Sequence, residues 1–312
     1  MELSNSTLVD FTKTAIILVS GIAIVISNVL IIVAIRNFRE AAHCYLLSLA
    51  VADLLCGLFI VPLSVYPSIT GKWEYGSLAC NFVGYLEVIL WSVTIYTLMW
   101  ISFDRYLAIS RPLHYQQIQT KTRCQCWLAL TWILSALLCC PPLLSYREPI
   151  FDDRAFICKL DWEQMPGYSV TAAILVLGPS IPLIIHSLLH IFFIERRLSV
   201  EPIHDRVHVQ ASAKYLAEPS HKMAFALVAM FCVSWCPFIF VRMFELCFGK
   251  VDTPILSFSI VWLGALNSFW KVFIISATSP QIRSALRGFC LPTFCMTEER
   301  TQDVSIGLDP LE

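Results

Sequence analysis

Residues 81–106 read NFVGYLEVILWSVTIYTLMWISFDRY, an apolar run that carries Glu87 as its one charge before it closes on Asp104-Arg105-Tyr106. An ionisable group at the centre of a bilayer costs roughly 2.5–3.5 kcal/mol on insertion scales, whereas one near a helix end can extend its head group to water. The run therefore reads as a membrane-spanning helix, and the acid and guanidinium after Phe103 mark where it leaves hydrocarbon. Such a pair at a membrane boundary reads as a functional edge. Composition agrees: of 312 residues, 57% are hydrophobic and 14% charged, too few charges to clothe a soluble globule of that size.

Working outward, apolar stretches long enough to cross about 30 Å of hydrocarbon fall near 12–36, 43–67, 78–103, 124–146, 167–195, 222–247 and 254–277. Lys271 interrupts the last, although Ile255 to Trp270 holds no ionisable residue. Lipid satisfies no backbone hydrogen bond, so each run should be a helix. The expected fold is all-α, a seven-transmembrane helix bundle. Prolines within or at the ends of the runs, among them Pro62, Pro182 and Pro237, are expected to kink helices and free carbonyls. After Ser279-Pro280, Ile282, Ala285, Leu286 and Phe289 share one face and Arg283 and Arg287 the other, the spacing of a short amphipathic eighth helix on the membrane surface. The expected organisation is an N-terminus over 1–11, a seven-span domain over 12–277, the amphipathic helix over 278–290 and a tail over 291–312.

Lys and Arg near span ends favour the cytosolic side. They concentrate after spans 1, 3, 5 and 7, for example Arg36, Arg111, Lys121, Arg196 and Arg283. This places the N-terminus outside and the C-terminus in the cytosol of a multi-pass plasma-membrane protein. Asn5-Ser6-Thr7 is a glycosylation sequon on the outer side, and span 1 is expected to act as its own signal, because Met1 to Asp10 lacks a basic start. Most cysteines sit in or beside apolar runs, where a thiol is a small hydrophobe. Cys80 and Cys158 lie outside, where a disulfide persists, and are expected to pair. Cys290 and Cys295 follow the last span and are open to palmitoylation or remain free thiols.

The ordered motifs resemble those of the rhodopsin-like (class A) G-protein-coupled receptors over nearly the whole chain. Ser27-Asn28 stands for the family's Gly-Asn, Leu49-Ala50-Val51-Ala52-Asp53 for Leu-Ala-x-x-Asp, and Trp73 for the outer-loop Trp. Asp104-Arg105-Tyr106 with Pro112-Leu113, Trp132, Pro182, and Phe231, Trp235 and Pro237 as Phe-x-x-x-Trp-x-Pro complete the set. The resemblance implies a heterotrimeric G protein as partner, met by Asp104, Arg105, Tyr106 and the apolar Leu113. It also implies an activation core of Asp53, Phe231, Pro237, Asn267 and Lys271, with Trp235 coupling the ligand pocket to the sixth span. Arrestin would read Thr297, Thr301 and Ser305.

The seventh span departs from the family pattern. Where Asn-Pro-x-x-Tyr is expected the chain reads Lys271-Val272-Phe273-Ile274-Ile275, and His190 replaces the fifth span's Tyr. Lys271 falls beside the second-span acid, in the family's sodium pocket, so its ammonium is expected to pair with Asp53, aided by Thr94, Asn267 and Ser268. The alternative is a Lys271 pointing into a watery inner crevice. Glu218 lies one position from where an acid commonly locks the arginine, which implies a weaker lock and higher basal activity.

Glu87 aligns with the acid that holds the ligand ammonium in amine receptors. Trp91, Trp235, Phe238 and Trp262 are expected around it, and aromatic faces about an acid suit a cation. This makes the chain an orphan or divergent amine-receptor-like member. Against that, Ala265, Ile174 and Gly178 replace amine-receptor side chains, and Glu87 could instead pair with Arg242 or Lys159. Trp91 could also fill the cavity a small ligand needs, which leaves an orphan receptor with a plugged pocket and ligand-independent signalling as the alternative. A net charge of −1 gives no reason to expect a nucleic-acid partner. No phosphate loop or His-Glu-x-x-His is present, and His186 and His190 lack further ligands, so no enzymatic activity, metal or cofactor is expected. A transporter, or a receptor-shaped scaffold or dimer partner that no longer couples, are the competing classes.

Overall fold

The protein's structure, a computed structural model, describes residues 2–36, 38, 41–141, 149–162, 164–200, 207–249 and 253–290. Its elements are α1 (Glu2–Ile35), α2 (Ala41–Leu55), a π-helical turn (Cys56–Ile60), α3 (Val61–Thr70), α4 (Gly76–Ser110), α5 (Tyr115–Ile118), α6 (Lys121–Leu137), β1 (Ile150–Asp152) and β2 (Ile157–Lys159). They continue as α7 (Pro166–Val200), α8 (Val207–Ala217), α9 (Ser220–Phe248), α10 (Pro254–Thr278) and α11 (Pro280–Cys290). Among the described residues six stretches are long and apolar enough to cross a membrane: Val9–Ile35, Ala42–Thr70, Gly76–Ser110, Pro166–Leu198, Ser220–Glu245 and Pro254–Thr278.

The remaining crossing is α6, whose 17 residues rise about 26 Å. The Thr120 hydroxyl accepts the Arg123 amide at 3.4 Å, an N-cap that starts this helix at Lys121 rather than at residue 124. Its expected outer end, 142–148, lies outside the described residues. Likewise α1 begins at Glu2, so the expected N-terminal segment continues the first span as helix, with Asn5 in its backbone. Proline in the second span acts through its neighbours. Pro62 has no N–H, and the chain widens into the π turn just before it; this brings Cys56, Ile60 and Val61 to the bundle interior.

The long α4 is central and packs against α2, α6, α7, α8 and α9. Side chains fasten the outer helices to it or to one another. Trp132 Nε1 donates to Ser48 Oγ at 3.1 Å, joining α6 to α2. Tyr96 Oη donates to the Leu175 carbonyl at 2.9 Å, joining α4 to α7. Asn28 Nδ2 donates to the Ser268 carbonyl at 3.1 Å, joining α1 to α10. Lipid competes for none of these partners, so each bond replaces an otherwise unsatisfied group.

The amphipathic helix α11 packs as its spacing requires. Ile282 is fully buried, with Ala285 and Leu286 against the same cluster of Ile31, Ile35 and Ile275. Arg283 donates to the carbonyls of Ser276 and Ala277 at 3.0 and 2.7 Å, covering α10's terminal carbonyls where a cation is favoured. The polar segment between the fifth and sixth spans contains the unexpected α8, held when Ser212 donates to the Ile109 carbonyl at 2.8 Å.

At the opposite end, β1 and β2 form an antiparallel hairpin with Phe151 facing Cys158. Cys158 is disulfide-bonded to Cys80 at the start of α4, with Cα atoms 5.2 Å apart. Gly84, one turn further along, is needed for this approach: a Cβ there would stand 2.7 Å from Pro149 Cβ.

Candidate functional site

The bundle carries chemistry at three levels. At the end away from the disulfide, Asp104 and Arg105 are both buried. Arg105 Nε donates to Asp104 Oδ2 at 2.9 Å, and a second guanidinium nitrogen donates to the same oxygen. Two further donors leave α4. One guanidinium nitrogen reaches Ser220 Oγ at 2.8 Å, at the start of α9, and another reaches Tyr115 Oη at 3.1 Å. Tyr115 in turn donates to Asp104 Oδ1 at 3.0 Å. Burial, reinforced by Asp104, pushes the Tyr115 phenol up, so it stays a neutral donor. Arg105 is thus tied to the sixth span by a hydroxyl; Glu218 is exposed and makes no ion pair with it among the described residues. Tyr106 faces away toward α7, with its ring 5.4 and 4.9 Å from those of His186 and His190. Leu113 stands exposed on the adjoining loop.

At the waist, Lys271 Nζ lies 2.8 and 2.9 Å from the two Asp53 oxygens, and Ser268 Oγ donates to Asp53 Oδ1 at 2.7 Å. Both charges are buried, at 3% and 4% exposure, so neither has bulk water as an alternative partner. Asn267 plays no part in holding Asp53; its Oδ1 is buried without a hydrogen-bond partner among the described residues.

The pair itself lines a cavity of about 70 Å³ whose wall also includes Glu87, Trp91, Thr94, Ile157, Trp235 and Trp262. Trp235 lies flat on Gly264, where a Cβ would come within 3.2 Å of the indole. Phe231 also lines the cavity, its ring 6.2 Å from that of Trp235. Phe238 does not line it; it packs behind Trp235 at 5.9 Å and beneath Arg242 at 5.2 Å. Neither alternative partner of Glu87 reaches it. Arg242 bonds Glu245 at 2.6 Å, and Lys159 pairs with Asp152 across the hairpin.

Sequence reasoning identified Asp53, Glu87, Arg105 and Lys271 but missed Tyr115, Ser220 and the hairpin tip. Ser220 lies 115 positions from Arg105, and no local pattern connects them. Cys290's side chain and all of Cys295 lie outside the described residues, as do Thr297, Thr301 and Ser305.

A bundle of membrane-crossing helices with a tethered arginine at one mouth, a charge pair at the waist and a loop-capped cavity at the other end has the architecture of a transmembrane receptor. The family profile described as 7 transmembrane receptor (rhodopsin family) matches residues 27–275, and the chain belongs to that family. It is 27% identical to the alpha-1A adrenergic receptor of Oryctolagus cuniculus, over 91% of this chain and 68% of the relative. It is 31% identical to G-protein coupled receptor 52 of Mus musculus, over 90% and 82%, and 30% identical to that of Bos taurus, over 83% and 75%. These relatives are receptors, and the chain is not an enzyme.

Proposed function

We propose that the chain is a plasma-membrane receptor, N-terminus outside and C-terminus in the cytosol, that transmits an extracellular stimulus or its own basal activity to a heterotrimeric G protein. The observation that carries this reading is the Arg105 mouth. A buried guanidinium held by one hydroxyl from α9 and by the Tyr115 phenol of α5 is uncoupled from the sixth span by moving the end of α9, which breaks the Ser220 bond and leaves the bonds to Tyr115 and Asp104 in place. Exposed Leu113 beside that mouth supplies an apolar contact for the partner. A second-messenger panel without added ligand tests the reading. Signal above vector control that is lost in Arg105→Ala at equal surface expression supports coupling; no signal in any pathway, with or without added amines, favours the non-coupling scaffold, for which the altered seventh span speaks.

A second, finer reading concerns the ligand. Glu87 faces a tryptophan-rich cavity with no ion-pair partner among the described residues, which suits a cationic amine. Similarity to an adrenergic receptor points the same way. Under the receptor reading Asn5 is glycosylated, Cys290 and Cys295 are acylation sites against membrane lipid, and arrestin engages the tail.

A further inference from the structure

The first turn of α9 is gripped from two sides. Ser220 reaches Arg105 of α4, and the next residue, His221, reaches α7. The His221 side chain is buried, at 1% exposure, beside a Glu195 carboxylate that is 42% exposed. Its ring nitrogen Nδ1 lies 2.9 Å from the Glu218 carbonyl oxygen, and Nε2 lies 3.7 Å from Glu195 Oε1. Nε2 makes no hydrogen bond among the described residues.

Both neighbours are acceptors, and this decides what the ring can do. A carbonyl only accepts, so Nδ1 carries a proton and donates it to Glu218. In a neutral imidazole the other nitrogen is then a lone pair, here facing a carboxylate. A buried acceptor set against a second acceptor is left unpaired, which is penalised. The imidazolium carries a donor on each nitrogen and satisfies both contacts at once, as a hydrogen bond to Glu218 and an ion pair with Glu195.

The surrounding charges leave Glu195 as the group that favours the protonated ring. On α7, Arg196 is stacked over Phe192 at 5.3 Å and Arg197 is exposed. His186 and His190 of the same helix belong to a separate cluster, in which both rings pack on Tyr106 and His190 Nδ1 lies 3.2 Å from Ser110 Oγ. From α4 come Asp104 and Arg105, which bond each other. On the chain of His221 itself, Glu218 and Lys222 are exposed, and the positive end of the α9 dipole opposes a cation.

We propose that His221 is a proton-binding site at the Arg105 end of the receptor, and that its imidazolium bridges α9 to α7 through Glu195, so that acid on that side holds the mouth closed. This rests on the reading of Arg105 as the G-protein mouth, which sets His221 on the cytosolic side. The coupling is mechanical. Arg105 is uncoupled from the sixth span when the start of α9 moves, and an ion pair to α7 one residue from Ser220 opposes that movement. Protonation favours the bridged state, so the bridge is present at low pH and lost as pH rises and the proton leaves. Basal output is therefore expected to rise with cytosolic pH.

The test uses full-length receptor in lipid nanodiscs at about pH 6 and about pH 8, which span the range where histidine changes charge. One readout needs no partner: the distance between spin labels carried on non-canonical side chains at the Arg105 ends of α7 and α9. The other is GTPγS uptake by purified heterotrimers, taken as the ratio of the native chain to Glu195→Gln at each pH, so that the heterotrimer's own pH response cancels. The native distance is expected to be shorter in acid, and the uptake ratio at least about threefold higher in alkali, within what one hydrogen bond to a charged group supplies. Glu195→Gln and His221→Gln should each hold one distance at both pH values; the half-exposed Glu195 keeps the test available should the buried His221→Gln fail to fold. A native distance that ignores pH, or a pH response that survives Glu195→Gln, would overturn the proton site while Arg105-dependent uptake stands. A pH-dependent distance with an unchanged uptake ratio would overturn its control of the mouth. The expected distances without uptake at either pH would support the proton-dependent bridge and count against the G-protein reading instead.

Discussion

Lys271 and Asp53 make a prediction that depends only on the folded bundle. Replacing Lys271 by Met keeps a long apolar stem but strands the Asp53 carboxylate, which would retain Ser268 as its sole hydrogen-bond donor among those described. Breaking a buried ion pair by removing one partner costs about 3–5 kcal/mol. At about 2–4 °C per kcal/mol for a domain of this order, the apparent midpoint of Lys271→Met should fall by about 6–20 °C. Asp53→Asn, which strands the ammonium instead, should fall comparably. The double variant buries no charge and should recover most of the loss, because two neutral side chains need no counter-ion. Thermal unfolding at one fixed scan rate, read with a thiol-reactive dye on the buried Cys124 and Cys139, supplies all four corners of the cycle. A coupling of at least about 3 kcal/mol is expected. Additive single losses, or losses below about 1 kcal/mol, would refute the pairing as a structural element. Lys271→Asn adds a second arm: it leaves a carboxylate without a cation, so its midpoint should rise with sodium over N-methylglucamine, while the native chain responds equally to both salts.

Three shorter predictions follow from the other sites. Ser220→Ala removes a hydrogen bond to a charged group worth about 1.5 kcal/mol, so basal second-messenger output at matched surface expression should rise up to roughly tenfold; Ser220→Glu should lower it, and equal output from both would refute the latch. Cys80→Ser releases one arm of the hairpin and should cost about 2–5 kcal/mol, seen as loss of mature protein at the cell surface. Asp152 gives a pH dependence. Burial would raise its carboxyl, yet Lys159 and the amides of Arg154 and Ala155 hold it below the usual carboxylate range. Its stabilising contribution is therefore present above the unfolded value of about 3.9 and lost as pH falls through the lower folded value. Thermal midpoints of the native chain should drop across that acid window more steeply than those of Asp152→Asn.

The fold was legible because lipid enforces it. Length and apolarity alone place seven helices, and the amphipathic spacing of Ile282, Ala285 and Leu286 places α11. The waist pair was legible through the resemblance, which sets Lys271 beside the second-span Asp53, and because a buried lysine without a partner is costly. What stayed hidden depends on geometry with no sequence period. The hydroxyl that holds Arg105 comes from Ser220, whose type is unremarkable at a helix start, while Glu218, one position from where an acid commonly locks the arginine, is exposed. The hairpin tip was hidden because Ala155-Phe156-Ile157 is short, and its burial follows from a disulfide, a glycine at position 84 and an aspartate that turns the chain. Phe238 was expected around Glu87, but it packs against the Trp235 indole and does not line the cavity.

The central claim is that the mouth built on Arg105 engages a G protein. The most direct measurement is GTPγS uptake by purified heterotrimers mixed with this receptor in nanodiscs, for the native chain, Arg105→Ala and Ser220→Glu. Faster uptake than with empty nanodiscs, abolished by the first substitution and reduced by the second, is expected. Uptake no faster than with empty nanodiscs, with and without amines, across every heterotrimer class, or uptake that Arg105→Ala leaves intact, would contradict the account.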